Sequence, residues 1–426
     1  MALQIRFIPL ASGQEIPVLV RDGLQVYETT WWLVDALLPC QRGAAPNTLL
    51  AKLRAVAHWL QWANAHSFDW AAAVQSGRFM SPAVIRQVLE WCETEVHLVG
   101  ETPNQRLRVN SATAGARAGF QFQFLEWHAD RLARSLPQSG FKKVVLEGLD
   151  DWRSQWRTLA GKMFPHDQYV RPPEAMDDKV RALFLRVIRP QDPGNPWVPA
   201  QQIRNYALLM LLYEHGLRVS DVLQLRMDDL RLEKGWFTIS ERVADPHETR
   251  KRRPNPKRRG ATIRTLRFTD VSLAAMQEWL NERSKRALWP GATRSPFVFV
   301  SHWANTSRPL AVRRPGQLFA DLRAAYPEKR GKNGKLVAVG FDRQYFHPHA
   351  MRHDRAVRFV LEYDRAFGWD LRGVQAMREV FGWSLRSIQP QYYARAAFLK
   401  IGTEAMVEVT DRRTRMGLAR NSEGNE

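Results

Sequence analysis

His349-Ala-Met-Arg352-His353 lies near the end of this chain, Gly382-Trp383 follows, and a tyrosine, Tyr392, stands nine residues beyond that tryptophan. Far upstream, Gly216-Leu-Arg218-Val-Ser-Asp221 occupies the junction between two helical patterns. Two arginines, a histidine, a tryptophan and a tyrosine in this order suit attack on a DNA phosphodiester by a tyrosine hydroxyl. A phosphorus passing through a five-coordinate transition state needs its non-bridging oxygens held and neutralised while the in-line direction stays open. Arginine does this best, through a planar, permanently charged fork that binds oxygens in pairs. Arg352 lies three residues after His349, so the two project from one face of a helix. His349 can exchange a proton or donate to a phosphate oxygen. Tyr392 and its neighbour Tyr393 sit in a polar stretch interrupted by Pro390, a setting that suits an exposed nucleophile, and spacing alone favours Tyr392.

A metal site is the rival reading of His347, His349 and His353. Zinc proteases place Glu directly after the first His of their motif, and here Ala350 stands there. No carboxylate or cysteine cluster completes a ligand set, so neither metal nor cofactor is expected. The loop Arg250-Lys-Arg-Arg-Pro-Asn-Pro-Lys257-Arg-Arg-Gly260 is strongly basic and reads as a phosphate-binding or solvated loop. A lysine there could act as a general acid if neighbouring arginines lowered its pKa; Lys257 is nearest the following strand and Lys251 is the alternative. The stretch Lys329-Arg-Gly-Lys-Asn-Gly-Lys335 lacks the spacing of a nucleotide-binding loop.

The elements that must position these residues are legible from periodicity. Residues 1–42 contain short alternating apolar stretches that suggest one or two strands, in an N-terminal extension without an assigned role. Residues 43–164 read as a helical domain. Leu50, Leu53, Val56, Ala57 and Leu60 share one helix face, Ser81-Pro82 opens a second helix, and a third runs from about Ser111. The proline-rich stretch 165–175 reads as a linker. Residues 176–410 follow as a second domain. Ile203–His215 is helical and ends at Gly216, and Ser220 can cap the next helix. Leu230–Ser240 then turns back at Lys234-Gly235 as a hairpin, with a third strand at Thr262–Phe268. The remainder reads as helices over 272–286, 315–325, 347–363, 371–381 and 384–406, with a polar tail, 411–426. The fold class expected is mainly α with a small antiparallel β-sheet.

Composition narrows the partner. The 426 residues carry a formal charge of +20, which suits a polyanion. The densest apolar run, Tyr206–Tyr213, is far shorter than the roughly 18 residues a membrane span needs. With two cysteines, Cys40 and Cys92, and no signal-peptide pattern, the expected setting is cytoplasmic and nucleoid-associated.

Taken together, the segments resemble the tyrosine recombinase family of phage integrases and Xer- and Cre-like enzymes. The first box matches as Gly216 to Arg226, with Asp221 where the family has Glu or Asp. The second matches as Pro348-His349-Ala-Met-Arg352-His353. Phe381-Gly382-Trp383 stands where most members have Leu-Gly-His, and tryptophan there is a Cre-like variant. The resemblance covers about 176–410, and residues 43–135 are similar to the family's core-binding domain. There, Ala112-Thr113, Arg117, Phe124 and Trp127 look like the helix those enzymes lay on DNA. It implies a helical core-binding domain followed by a catalytic domain that cuts and rejoins double-stranded DNA through a 3′-phosphotyrosyl link. In that scheme Arg218 and Arg352 clamp the phosphate, His349 assists, Trp383 supports the pocket, Tyr392 attacks and Lys257 protonates the leaving 5′-hydroxyl. A homo-tetramer on two DNA sites, with accessory recombination proteins, is also implied. A type IB topoisomerase shares the residue set, but the Xer-like box spacing argues against it. A non-catalytic DNA-binding protein would be expected to have lost part of the set.

Overall fold

The computed structural model describes residues 2–9, 15–37, 46–95, 98–99, 108–165, 175–240, 242, 247–250, 254, 263–285, 287–301, 308–330, 336–342, 345–403 and 406–407. Two compact units divide the chain, Met1–Val170 and Arg171–Glu426. Both are mainly helical, with small antiparallel sheets; α1 (Tyr27–Trp32) and α3 (Trp70–Gln75) belong to the first, α7 (Asp178–Val187) and α11 (Arg314–Ala325) to the second.

In the first unit, β1 (Leu3–Pro9) pairs antiparallel with β2 (Glu15–Arg21), and β2 with the short β3 (Leu24–Gln25). Asp22 and Gly23 connect β2 to β3 with φ of 49° and 87°. Two successive left-handed residues match the right-handed twist of a tight hairpin, and Asp-Gly adopts them readily. The inward residues Leu3 and Leu19 share a core with Leu49, Leu53 and Ala57 of α2 (Pro46–Ala65), so the N-terminal strands pack on the helical body. Leu49, not Leu50, takes the buried position on that helix. α4 (Pro82–Trp91) begins as its sequence suggests, with Ser81 accepting from Val84 N–H and proline at the first helical position. α5 (Ser111–Ser135) and α6 (Gly140–Met163) close this unit around Trp59, Trp62, Trp70, Trp152 and Trp156.

α5 does not present the DNA-facing pattern expected of it. Arg117 turns inward, donating to the carbonyls of Cys92 and Thr94 and pairing with Glu95 at 4.0 Å. Phe124 is buried, and Trp127 donates its indole N–H to Asp35 at 3.1 Å. A long amphipathic helix carries both faces in one sequence, and Arg117 serves the inner one by satisfying carbonyls left open where α4 ends.

The second unit is built around α8 (Pro199–His215), whose residues from Ala207 to Tyr213 are all buried. A helix apolar on every side must be surrounded, and α10 (Asp270–Ser284) and α12 (Pro348–Phe367) pack against it. α9 (Val219–Gln224) follows directly. The hairpin is present as β4 (Leu230–Arg231) and β5 (Trp236–Ile239), with Gly235 at φ 68°, and β6 (Arg264–Arg267) completes an antiparallel sheet with Ile239 opposite Arg264. A two-stranded pair, Lys329–Arg330 with Leu336–Ala338, occurs where only a glycine- and lysine-rich stretch was read. α13 (Leu371–Phe381) ends at Gly382, and a last helix covers 389–403. It begins later than the expected 384 because Ser384–Ser387 forms a turn, after which Pro390 stands near the helix start.

Candidate active site

Two left-handed glycines set the frame. Gly216 terminates α8 at φ 56°, and Gly382 terminates α13 at φ 62°. Both are also close approaches. A Cβ on Gly216 would lie 2.8 Å from the Phe381 ring, and one on Gly382 would lie 2.7 Å from Nε of Arg264. Glycine is therefore needed for conformation and for space at each turn.

Arg352, on α12, joins the two turns. Its Nη1 donates to the Gly216 carbonyl at 2.7 Å and its Nη2 to the Phe381 carbonyl at 2.6 Å. The guanidinium also lies 5.0 Å from the Phe381 ring centroid and 5.2 Å from that of Trp383. Burial, and then the charge of Arg218, push its pKa down to about 9, so it stays cationic at neutral pH. Arg218 itself stands at the start of α9 in extended conformation, directly after the Gly216 turn. Its charge acts on Arg352, His349 and Tyr393 alike. The nearby Arg218 charge disfavours the charged form of Arg352, and an anion beside it would relieve that cost.

The histidines are neutral near pH 7. His347 caps α12, its ring accepting from Ala350 N–H. His349 is the exposed member of the set. Partial burial, then the charges of His353, Arg352, His347 and Arg218, push its pKa down to about 4. His353 is likewise pushed to about 4, by burial first and then by His347 and Arg352. The two rings meet edge to face with centroids 4.5 Å apart.

Trp383 lies in a stack of three rings. Its centroid is 4.9 Å from that of Phe381 and 5.4 Å from that of Tyr393, with interplanar angles of 13° and 8°. Tyr393 is 2% exposed, and its hydroxyl lies 2.5 Å from Nδ1 of His353. Tyr392 is only partly buried, its ring edge-on to Tyr393. Arg218, His349, Arg352, Trp383 and the tyrosine pair thus converge on one region, with Tyr393 inside and Tyr392 toward the surface. Lys257 and Lys251 lie outside the described residues. Arg250, at the head of the basic loop, turns inward. It pairs with Glu248 at 2.5 Å and donates to the Leu223 and Leu310 carbonyls, which fixes the loop's start to the core.

Arg264 is the site's unforeseen member. From β6 it pairs with the fully buried carboxylate of Asp221 at 2.9 Å and donates to the Val380 carbonyl at 2.6 Å. It therefore ties the first helical box to the end of α13, packed flat on Gly382. Alternation supplies the sequence signal that could have revealed it: Arg264 shares the inward face of β6 with Leu266, whereas Thr265 and Arg267 point outward. An arginine at an inward strand position demands a buried acid.

Among the described residues there is no cluster of His, Cys, Asp or Glu fit to hold a metal, and no described helix is long and apolar enough to cross a membrane.

Residues 195–399 match the phage integrase family. The chain is similar to tyrosine recombinase XerD of Caulobacter vibrioides, 30% identical over 42% of this chain and 46% of the relative. It is also similar to the type 1 fimbriae regulatory protein FimE of Escherichia coli K12, 32% identical over 23% of this chain and 40% of the relative. The chain thus spans less than half the length of these curated relatives. A crystal structure of the XerH site-specific recombinase bound to palindromic difH substrate overlaps 77% of this chain and 85% of its own, at 15% identity and a TM-score of 0.38.

Proposed function

We propose, from the premise that residues 195–399 belong to the phage integrase family of tyrosine recombinases, that this chain is a site-specific DNA recombinase working through a 3′-phosphotyrosyl intermediate. The observation that carries the reading is the convergence of two arginine charges and an exposed neutral histidine on one region, beside a partly exposed tyrosine. Arg218 and Arg352 hold the non-bridging oxygens of the scissile phosphate and supply most of the charge stabilisation. Trp383 walls the pocket and can donate its indole N–H to a phosphate oxygen. The Tyr392 oxygen bonds to phosphorus as the bond to the 5′-oxygen breaks. The departing 5′-oxygen takes its proton from Lys257, or from Lys251 in its place. His349, neutral at physiological pH, accepts the phenolic proton or donates to the phosphate. A 5′-hydroxyl from a partner duplex reverses the step and restores Tyr392. The phosphoester energy is kept in the covalent link, so the cycle needs no nucleotide cofactor.

Tyr392 is preferred over Tyr393 on physical grounds. Tyr393 is the less accessible of the two, buried, stacked and hydrogen-bonded to His353, with burial pushing its hydroxyl up to about 12, whereas Tyr392 is only partly buried. The helix over 389–403 exposes Phe398, Leu399 and Ile401, with Met406 and Val407 beyond it. This face supports docking on a neighbouring protomer, as a tetramer on two DNA sites requires. Accessory recombination proteins and a nucleoid-associated cytoplasmic setting complete the reading.

Protein-linked DNA tests it. Cells expressing the chain are lysed in denaturant, and DNA bound covalently to the protein is recovered and sequenced. Adducts at a defined site that vanish in Tyr392→Phe are expected; recovery of no covalent DNA from the wild type would overturn the proposal.

A further inference from the structure

We infer that Tyr393 is a positioning residue for the attack by Tyr392, an inference that rests on the strand-exchange reading above. Adjacent residues on a helix project about 100° apart, so fixing one side chain sets the direction of the next. Tyr393 is fixed on three sides. Its hydroxyl is bonded to His353 Nδ1 at 2.5 Å, its ring lies parallel to Trp383, and it is buried in a core with Val357, Val360, Met377 and Phe381. Ala394 and Ala397, on the same helix, are buried in that core as well. With this face anchored, the preceding residue must point around the helix, where Tyr392 is found partly exposed.

The hydrogen bond has a preferred sense. The Tyr393 phenol is neutral and His353 is unprotonated near pH 7. A phenol is the stronger donor and an imidazole nitrogen the stronger acceptor, so the favoured arrangement has the phenol donating, Nδ1 accepting and the imidazole proton on Nε2. Through Trp383 the same tyrosine is stacked one ring away from the Arg352 guanidinium, and through His353 it braces the His349 ring. A displaced Tyr393 would thus turn Tyr392 out of line and loosen the wall of the phosphate pocket together. Because in-line displacement is sensitive to misplacement of the nucleophile, the effect falls on the chemical step and not on DNA binding.

The test uses the full chain and a nicked duplex carrying the sequence recovered with the protein-linked ends. Tyr393→Phe keeps the stack and loses only the hydroxyl, and it is expected to slow single-turnover adduct formation about five- to tenfold with unchanged DNA affinity. His353→Asn places an amide at the δ position and should retain most of the rate, while His353→Phe should be as slow as Tyr393→Phe. In the wild type, nitrogen NMR should find Nδ1 of His353 unprotonated and hydrogen-bonded, a signal that shifts in Tyr393→Phe. A Tyr393→Phe rate equal to wild type, or equal losses of rate and DNA affinity, overturns the inference. Loss of the adduct in Tyr393→Phe with its retention in Tyr392→Phe overturns the choice of nucleophile as well. No adduct from the wild type refutes the strand-exchange reading itself, while the nitrogen signal still reports on the hydrogen bond.

Discussion

Replacing Arg264 by leucine removes a side chain that joins Asp221 of α9 to the carbonyl end of α13. The Asp221 carboxylate is fully buried and pairs with Arg264 at 2.9 Å. Removing one member of a buried charge pair costs about 3–5 kcal/mol, far more than the pair itself contributes over an apolar replacement. At about 2–4 °C per kcal/mol for a unit of this size, Arg264→Leu should lower Tm by roughly 6–20 °C. The mechanism makes a sharper prediction than the loss alone. Asp221→Asn removes the buried charge that Arg264 balances, so Arg264→Leu combined with Asp221→Asn should be more stable than Arg264→Leu by itself. The coupling in the double-mutant cycle should exceed about 1 kcal/mol, because the residues share one buried pair. Calorimetric unfolding of the full chain and its three variants supplies all four corners of the cycle. Additive effects, with the double variant no more stable than Arg264→Leu, would refute the buried-pair account.

Stability should fall on mild acidification. His353 and His349 have folded-state pKa values near 4 and His215 near 3, all lowered chiefly by burial, against an unfolded value near 6.5. Below pH 6.5 the unfolded chain therefore takes up protons that the folded chain refuses. Urea midpoints should drop steadily from pH 7 toward pH 4, and a flat profile would contradict neutral buried imidazoles. Gly382→Ala forces a Cβ to 2.7 Å from Arg264 at φ 62°, so a loss of about 1–2 kcal/mol from the backbone alone, plus displacement of Arg264, should appear in the same unfolding assay. Truncation after Ala397 removes the exposed Phe398, Leu399 and Ile401. DNA binding in a mobility-shift assay should survive and synapsis of two sites should fall, whereas undiminished recombination would exclude a docking role for this helix.

The elements of the candidate site are legible where one residue type answers one physical demand. Gly216 and Gly382 end helices in the left-handed region, Gly235 turns a hairpin, and Ser81-Pro82 opens a helix. His349 and Arg352 share a helix face because three residues make nearly one turn. What stayed hidden depended on tertiary partners. Arg264 is one cation among 63 Lys and Arg, and nothing local distinguishes a buried arginine until its acid, 43 residues upstream, is placed beside it. The inward role of Arg117 is not legible in the sequence because the carbonyls it satisfies, at Cys92 and Thr94, lie across a tertiary contact. Tyr392 and Tyr393 are indistinguishable by composition. Spacing ranks them, and only the packing of Tyr393 under Trp383 supplies a physical reason.

The covalent link itself is the most direct test. Digesting trapped protein–DNA adducts with protease and nuclease, then sequencing the nucleotide-bearing peptide by mass spectrometry, identifies the attacking atom's residue. The account predicts a 3′-linked nucleotide on Tyr392 and an unmodified Tyr393. A nucleotide on Tyr393, or a 5′-linked one on either tyrosine, would contradict it.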